Sequence, residues 1–211
     1  MSRILDIVAK SLSVVLYPLF IPTYGIILFC IAHSIHVAPL AGVWVAVAIT
    51  GTFVLTCVLP ITAIWILVRR GVVKDLYIDN PQERTMSYIY AALGFAFWSY
   101  LLVKILQAPS YLSGVAIGAT VAIILVAFIN RKWKISAHLA GIGGLVGGIL
   151  SYCLGIHAIP TLGTWALWLG LSWLLMWARL YMNAHTGAQV SAGWLLGIAC
   201  TFVPYFVICY A

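Results

Sequence analysis

Apolar runs about twenty residues long, separated by short polar connections, recur along the whole chain. Each is long enough to cross a hydrocarbon core about 30 Å thick as a helix. Seven such runs are expected near 11–33, 41–68, 83–106, 110–130, 136–157, 161–182 and 187–210. Pro18 and Pro22 interrupt the first, while Pro60 and Pro204 sit inside the second and the seventh. Lipid-embedded helices tolerate such prolines when neighbours re-satisfy the freed carbonyls. Of the 211 residues, 64% are hydrophobic and only 7% charged, against roughly 25% charged in an average soluble domain. A water-facing globule is therefore excluded, and so is disorder, which needs low hydrophobicity and high charge. A membrane barrel would show segments of about ten residues with alternating polarity. The unbroken runs predict an all-α fold instead: a polytopic membrane helix bundle of about seven transmembrane helices, one integral-membrane domain over 1–211.

Seven crossings put the N-terminus and the second, fourth and sixth connections on one side. Arg3, Lys10, Arg69, Arg70, Lys74, Arg84, Arg131, Lys132, Lys134 and Arg179 fall there, with Asp6, Asp75, Asp79 and Glu83. Lys104 alone lies toward the other face. Such an excess of Lys and Arg predicts a cytoplasmic face, here in a bacterial-type cytoplasmic (inner) membrane. Orientation thus accounts for the net charge of +7, and no nucleic-acid partner is expected. The N-terminus reads as an uncleaved first span with a short amphipathic lead. Cys30, Cys57, Cys153, Cys200 and Cys209 all fall within apolar runs, without a C-x-x-C spacing, and read as small buried hydrophobes. The glycines of 141–148 and the G-x-x-x-G pairs Gly114/Gly118 and Gly193/Gly197 suit close helix packing, within a chain as readily as between chains.

Three helix starts share the charged side. Asn80, Pro81 and Glu83 make a capping-box start, with Arg84 in the first turn, where a cation opposes the helix dipole. Its partner is either a nearby acid (Glu83, Asp79 or Asp75) or a bound phosphate. Ser136 is a candidate N-cap that places His138 at the second helical position, and free N–H groups at such a start favour anions. Thr186 and Gln189 form another capping box, with His185 just outside it. Arg179 lies on the last turn of the preceding span, where the dipole alone favours a cation. Singly, each residue has a structural explanation. Together, two histidines and two arginines converge on one face, while His33, His36 and His157 lie toward the other. The set is poor for a metal, since cations repel it and no third ligand is evident. It suits phosphate: arginines clamp the oxygens, one histidine attacks and the other protonates the leaving group.

These residues resemble the type 2 phosphatidic acid phosphatase superfamily, the lipid phosphate phosphatases, whose pattern is K-x6-R-P, P-S-G-H and S-R-x5-H-x3-D. The third block here reads Ala178-Arg179, five residues, His185, three residues, Gln189; the second reads Ile135-Ser136-Ala137-His138. The first is reduced to Arg84-Thr85 with Lys74 upstream, so the resemblance covers about 74–189. It implies His185 as a nucleophile forming a phospho-histidine and His138 as general acid for the leaving lipid alcohol. It implies Arg179 and Arg84 on the phosphoryl oxygens, with Lys74, Lys134 and Ser136 completing the phosphate cradle, and no metal or cofactor. The substrate would be a lipid phosphomonoester or diphosphate among the membrane lipids, such as phosphatidate, phosphatidylglycerophosphate or polyprenyl diphosphate.

Three positions depart from the pattern. Gln189 stands in the orienting position of the family's aspartate, Tyr77 falls where its lysine would by strict spacing, and Ala137 replaces its glycine. In serine proteases the analogous carboxylate-to-amide change costs about 10⁴ in rate. The chain is thus expected to be a divergent, slower phosphatase, or a catalytically degenerate relative that binds or transports anionic lipid. A transporter or channel fits the spans but lacks a charge firmly in mid-membrane.

Overall fold

The computed structural model describes residues 2–71 and 81–210. Lys74, Asp75, Tyr77, Asp79 and Asn80, and the side chains of Glu83 and Arg84, lie outside the described residues. The described chain is helical, with no strand: α1 Ser2–Val15, α2 Ile21–His36, α3 Gly42–Phe53, α4 Leu59–Arg69, α5 Pro81–Lys104, α6 Ser110–Asn130, α7 Ala137–Gly155, α8 Leu162–Tyr181 and α9 Gly187–Tyr210. A π-helical turn, Val54–Val58, fuses α3 to α4. Among the described residues, five stretches are long and apolar enough to cross a membrane: Gly42–Arg69, Thr85–Lys104, Ser110–Asn130, Ala137–Gly155 and Gly187–Tyr205. The fold is a helical membrane bundle.

The first expected span, 11–33, is not one helix. The chain breaks at 16–20 into α1 and the 16-residue α2. Pro18 lacks the N–H a continuing helix needs, and Pro22 fits only the first turn of α2, where no donor is missed. The remaining runs hold helices whose ends fall within two residues of those expected. Of these, α8 has 20 residues but carries Trp165, Trp168, Trp173, Trp177 and Arg179, which lower its mean hydropathy.

Pro60 cannot donate to the carbonyl four residues back. The π turn widens the ladder just before it, so that Leu59 N–H reaches the Val54 carbonyl, five residues back. The glycines hold α6, α7 and α9 together. A Cβ on Gly143 would run into the Trp194 backbone, one on Gly147 into Ile198, and one on Gly197 into the Ala140 carbonyl. Hydrogen bonds cross the same seam from Thr201 Oγ1 to Gly144 O (2.9 Å) and from Ser151 Oγ to Thr201 O (3.0 Å). Cys30, Cys57, Cys153 and Cys200 are free thiols within or beside these helices.

Candidate phosphate site

The start of α7 forms as its sequence dictates. Ser136 is extended and its Oγ accepts from Leu139 N–H at 3.4 Å. Its own N–H donates to the Gln189 carbonyl at 3.2 Å, tying the starts of α7 and α9 together. Ser136 is fully buried; its hydroxyl caps α7 while its backbone N–H makes the tie to α9.

His185 is fixed by two local motifs back to back. Asn183, at φ 51°, ends α8 in a left-handed turn where Asn183 N–H bonds Leu180 O (2.9 Å) and Ala184 N–H bonds Arg179 O (3.1 Å). This is the Schellman pattern, with Asn in the position usually taken by glycine. Thr186 and Gln189 then close their capping box: Thr186 N–H donates to Gln189 Oε1 at 3.0 Å, and Gln189 N–H to Thr186 Oγ1 at 3.4 Å. His185 sits between the motifs, half-buried, with Nδ1 at 3.1 Å from the Lys134 carbonyl. A carbonyl only accepts, so Nδ1 carries the proton and Nε2 keeps its lone pair.

His138 is held the other way round. Its Nε2 lies 3.1 Å from the carbonyl of Ser13 in α1, so Nε2 is the protonated nitrogen. Tyr17 and the imidazole meet at right angles in a T-shaped contact, with ring centroids 5.5 Å apart. Arg179 Nη1 donates to Ser13 Oγ at 3.3 Å, and Arg179 stands within electrostatic reach of both histidines. A second tie fixes α1 on α8, from Tyr181 OH to Asp6 Oδ1 at 2.9 Å. Burial, and next the Arg179 charge, hold the His185 imidazole down to about 4, with the Lys134 charge adding to them. The Lys134 carbonyl and the Gln189 side chain oppose that shift.

The structure therefore brings together His138, Arg179, Lys134 and His185, with Ser136 and Gln189 behind them as caps. Lys74 and the Arg84 side chain lie outside the described residues. Ser13 and Tyr17, far upstream of the motif region, carried no spacing signal in the sequence. They reach the site because α1 folds back along α8. The four convergent side chains stand at the head of a cavity of about 1360 Å³, and Lys10 lines the same end. Among the described residues, no group of three His, Cys, Asp or Glu is placed to hold a metal ion. Comparison with known proteins gives no match: no family model, curated sequence or solved structure aligns with the chain.

Proposed function

We propose that the protein is an integral-membrane phosphatase that hydrolyses a lipid phosphomonoester or diphosphate through a phospho-histidine, as a divergent relative of the type 2 phosphatidic acid phosphatases. The observation that carries this reading is the meeting of His138, Arg179, Lys134 and His185 at the head of a cavity whose remaining lining is mainly apolar. In this reading α2 and α8 cross the membrane beside the five long apolar helices, and the site faces the cytoplasm of a bacterial-type cell.

His185 Nε2, with its lone pair free, attacks phosphorus. The bond from phosphorus to the leaving oxygen breaks as His138, doubly protonated against the bound phosphate dianion, gives one proton to that oxygen and is left neutral, its Nε2 still held by the Ser13 carbonyl. Water then attacks the phospho-histidine and gives its proton to His138, releasing inorganic phosphate and a neutral His185. Arg179 and Lys134 offset the charge on the phosphoryl oxygens, joined by Arg84 and Lys74 as the resemblance implies. The Lys134 carbonyl accepts the hydrogen bond from His185 Nδ1, a task the family gives to a carboxylate. A neutral acceptor stabilises the positive phospho-imidazole less, which makes turnover slower. Reconstituted protein should release phosphate from phosphatidate and from prenyl phosphates without added magnesium, and quenching in alkaline denaturant, where a phosphorus–nitrogen bond survives, should leave labelled phosphate on His185. Release that persists undiminished in His185→Ala would rule out this nucleophile.

A second reading rests on Gln189, whose Oε1 is taken up by the Thr186 N–H and which brings no charge to His185. In it the same site binds or moves anionic lipid without turnover. Saturable binding of lipid phosphates with no phosphate release across a broad panel would favour it.

A further inference from the structure

The helical repeat divides α1 into three faces. Ala9, Ser13 and, just past the end of the helix, Leu16 are buried, Leu16 among Leu139 and Leu175. Arg3, Asp6 and Lys10 make a charged stripe beside them, with Lys10 at the mouth of the cavity. The third face, Ile4, Ile7, Val8, Val14 and Val15, is apolar and open, and all but Val8 are more than half exposed. With 14 residues, α1 is about 21 Å long, too short to cross a hydrocarbon core of about 30 Å. Its depth is set by its bonds. Asp6 and Ser13 lie seven residues apart, about 10 Å of rise, yet their side chains meet Tyr181 and Arg179, both in the last turn of α8. The Ser13 carbonyl meets His138 in the first turn of α7, which is one of the long apolar helices. α1 thus slants across the end of the bundle where a spanning helix begins, level with the boundary between hydrocarbon and water.

We propose that α1 is an in-plane interfacial helix whose partner is the bilayer surface, and that its seating in the lipid holds Ser13 against His138 and Arg179. Apolar area left in water is unfavourable in proportion to its extent, and the boundary between headgroups and acyl chains covers the open stripe while the charged stripe stays wet. The apolar stripe is continuous in depth with the lipid-facing end of the bundle, which makes lipid rather than a second protein its occupant. Binding of such helices depends on lipid composition and curvature, so the histidine site responds to the membrane around it. The seating stands without the phosphatase reading; only its effect on turnover rests on that reading.

The test uses the full chain, freed of its native cysteines, in vesicles whose lipids carry a spin label near the glycerol end of the acyl chain. A fluorophore on Ile4→Cys or Ile7→Cys should be quenched several-fold more than one on Arg3→Cys, which lies on the charged stripe. Ile7→Glu puts a charge into the apolar stripe. It should lower quenching at Ile4→Cys and raise several-fold the modification of His138 by diethyl pyrocarbonate. It should also cut phosphate release about ten-fold, as loss of the Ser13 hydrogen bonds implies. Joining Asp6→Cys to Tyr181→Cys with a short bis-maleimide should shield His138 again in the Ile7→Glu background, which separates unseating from misfolding. Equal quenching at Arg3→Cys, Ile4→Cys and Ile7→Cys, or unquenched Ile7→Cys that cross-links between two copies, overturns the bilayer as partner. Strong quenching with His138 no more reactive in Ile7→Glu overturns the hold on the site. The expected quenching and shielding with no phosphate release keep the seating and sink the phosphatase reading.

Discussion

His185 and His138 hold opposite tautomers because each leans on a backbone carbonyl, Lys134 and Ser13 respectively. That leaves a lone pair on His185 Nε2 and a proton on His138 Nε2, and among the described residues no carboxylate holds His185. The pH dependence follows. Histidine ordinarily titrates near 6.5; in the fold, burial, Arg179 and Lys134 bring His185 to about 4. In the phosphatase reading His185 keeps its lone pair through mildly acid solution, and the acid limb of kcat/KM should lie near pH 4. The stability sign is the reverse: between 6.5 and 4 the unfolded chain takes up a proton that the folded chain refuses, so stability drops as pH falls through that window. Gln189→Glu keeps the T-x-x-E capping box and adds a charge beside His185. It should move the acid limb of the kcat/KM profile toward neutrality, and an unmoved limb would show that Gln189 does not act on His185. Ser13→Ala retains the carbonyl that holds His138 but removes the hydroxyl that accepts from Arg179 Nη1. A loss of roughly ten-fold in kcat/KM is expected, from one hydrogen bond to a charged group, measured as phosphate release. Ser136, Thr186 and Gln189 were legible as caps because a cap is a contact across three residues. Ser13 was not, since nothing local distinguishes it from any serine in an apolar run. Its role exists only once α1 has docked on α8.

At the scale of the element, glycine and proline decide how the helices meet. Pro204 lies inside α9 and leaves the Cys200 carbonyl without its helical donor. Gly118 of α6 stands against that same carbonyl, where a Cβ would overlap it. Its missing side chain lets the α6 backbone approach the freed oxygen, a geometry suited to Cα–H···O contact. Gly118→Ala should cost about 1–3 kcal/mol through overpacking. Gly170→Ala in α8, where nothing lies within 4 Å of the added carbon, should be neutral or gain up to about 1 kcal/mol from helix propensity. Unfolding of the two variants in the same detergent separates a packing effect from a general cost of losing glycine; equal losses would refute the seam. The G-x-x-x-G spacing announced such a contact, but which helix answers it was not readable. The first apolar run misled for a related reason: hydropathy sees through Pro18 and Pro22, whereas the backbone ladder cannot pass them.

For the whole molecule, charge and geometry bear on the same question of sidedness. α6 has 21 residues, about 31 Å of rise, so the connections at its two ends lie on opposite faces of a bilayer it crosses. One end carries Arg131, Lys132 and Lys134 and continues into α7, whose start is bonded to that of α9. The other end follows Lys104. The candidate site therefore lies at the cation-rich end, and its own Arg179 and Lys134 inflate the bias that reports orientation. Arg131 and Lys132, both exposed and outside the four convergent side chains, supply the unbiased part of that signal. They still predict a cytoplasmic face. In a background without the native cysteines, Arg131→Cys should react with a membrane-impermeant maleimide only after the cells are opened. Lys104→Cys should react in intact cells. The reverse pattern would place His138 and His185 outside the cytoplasm, where their substrate would be a lipid presented on the outer leaflet. Labelling of both in intact cells would contradict α6 as a crossing, and with it the assignment of Lys104 and Arg131 to opposite faces.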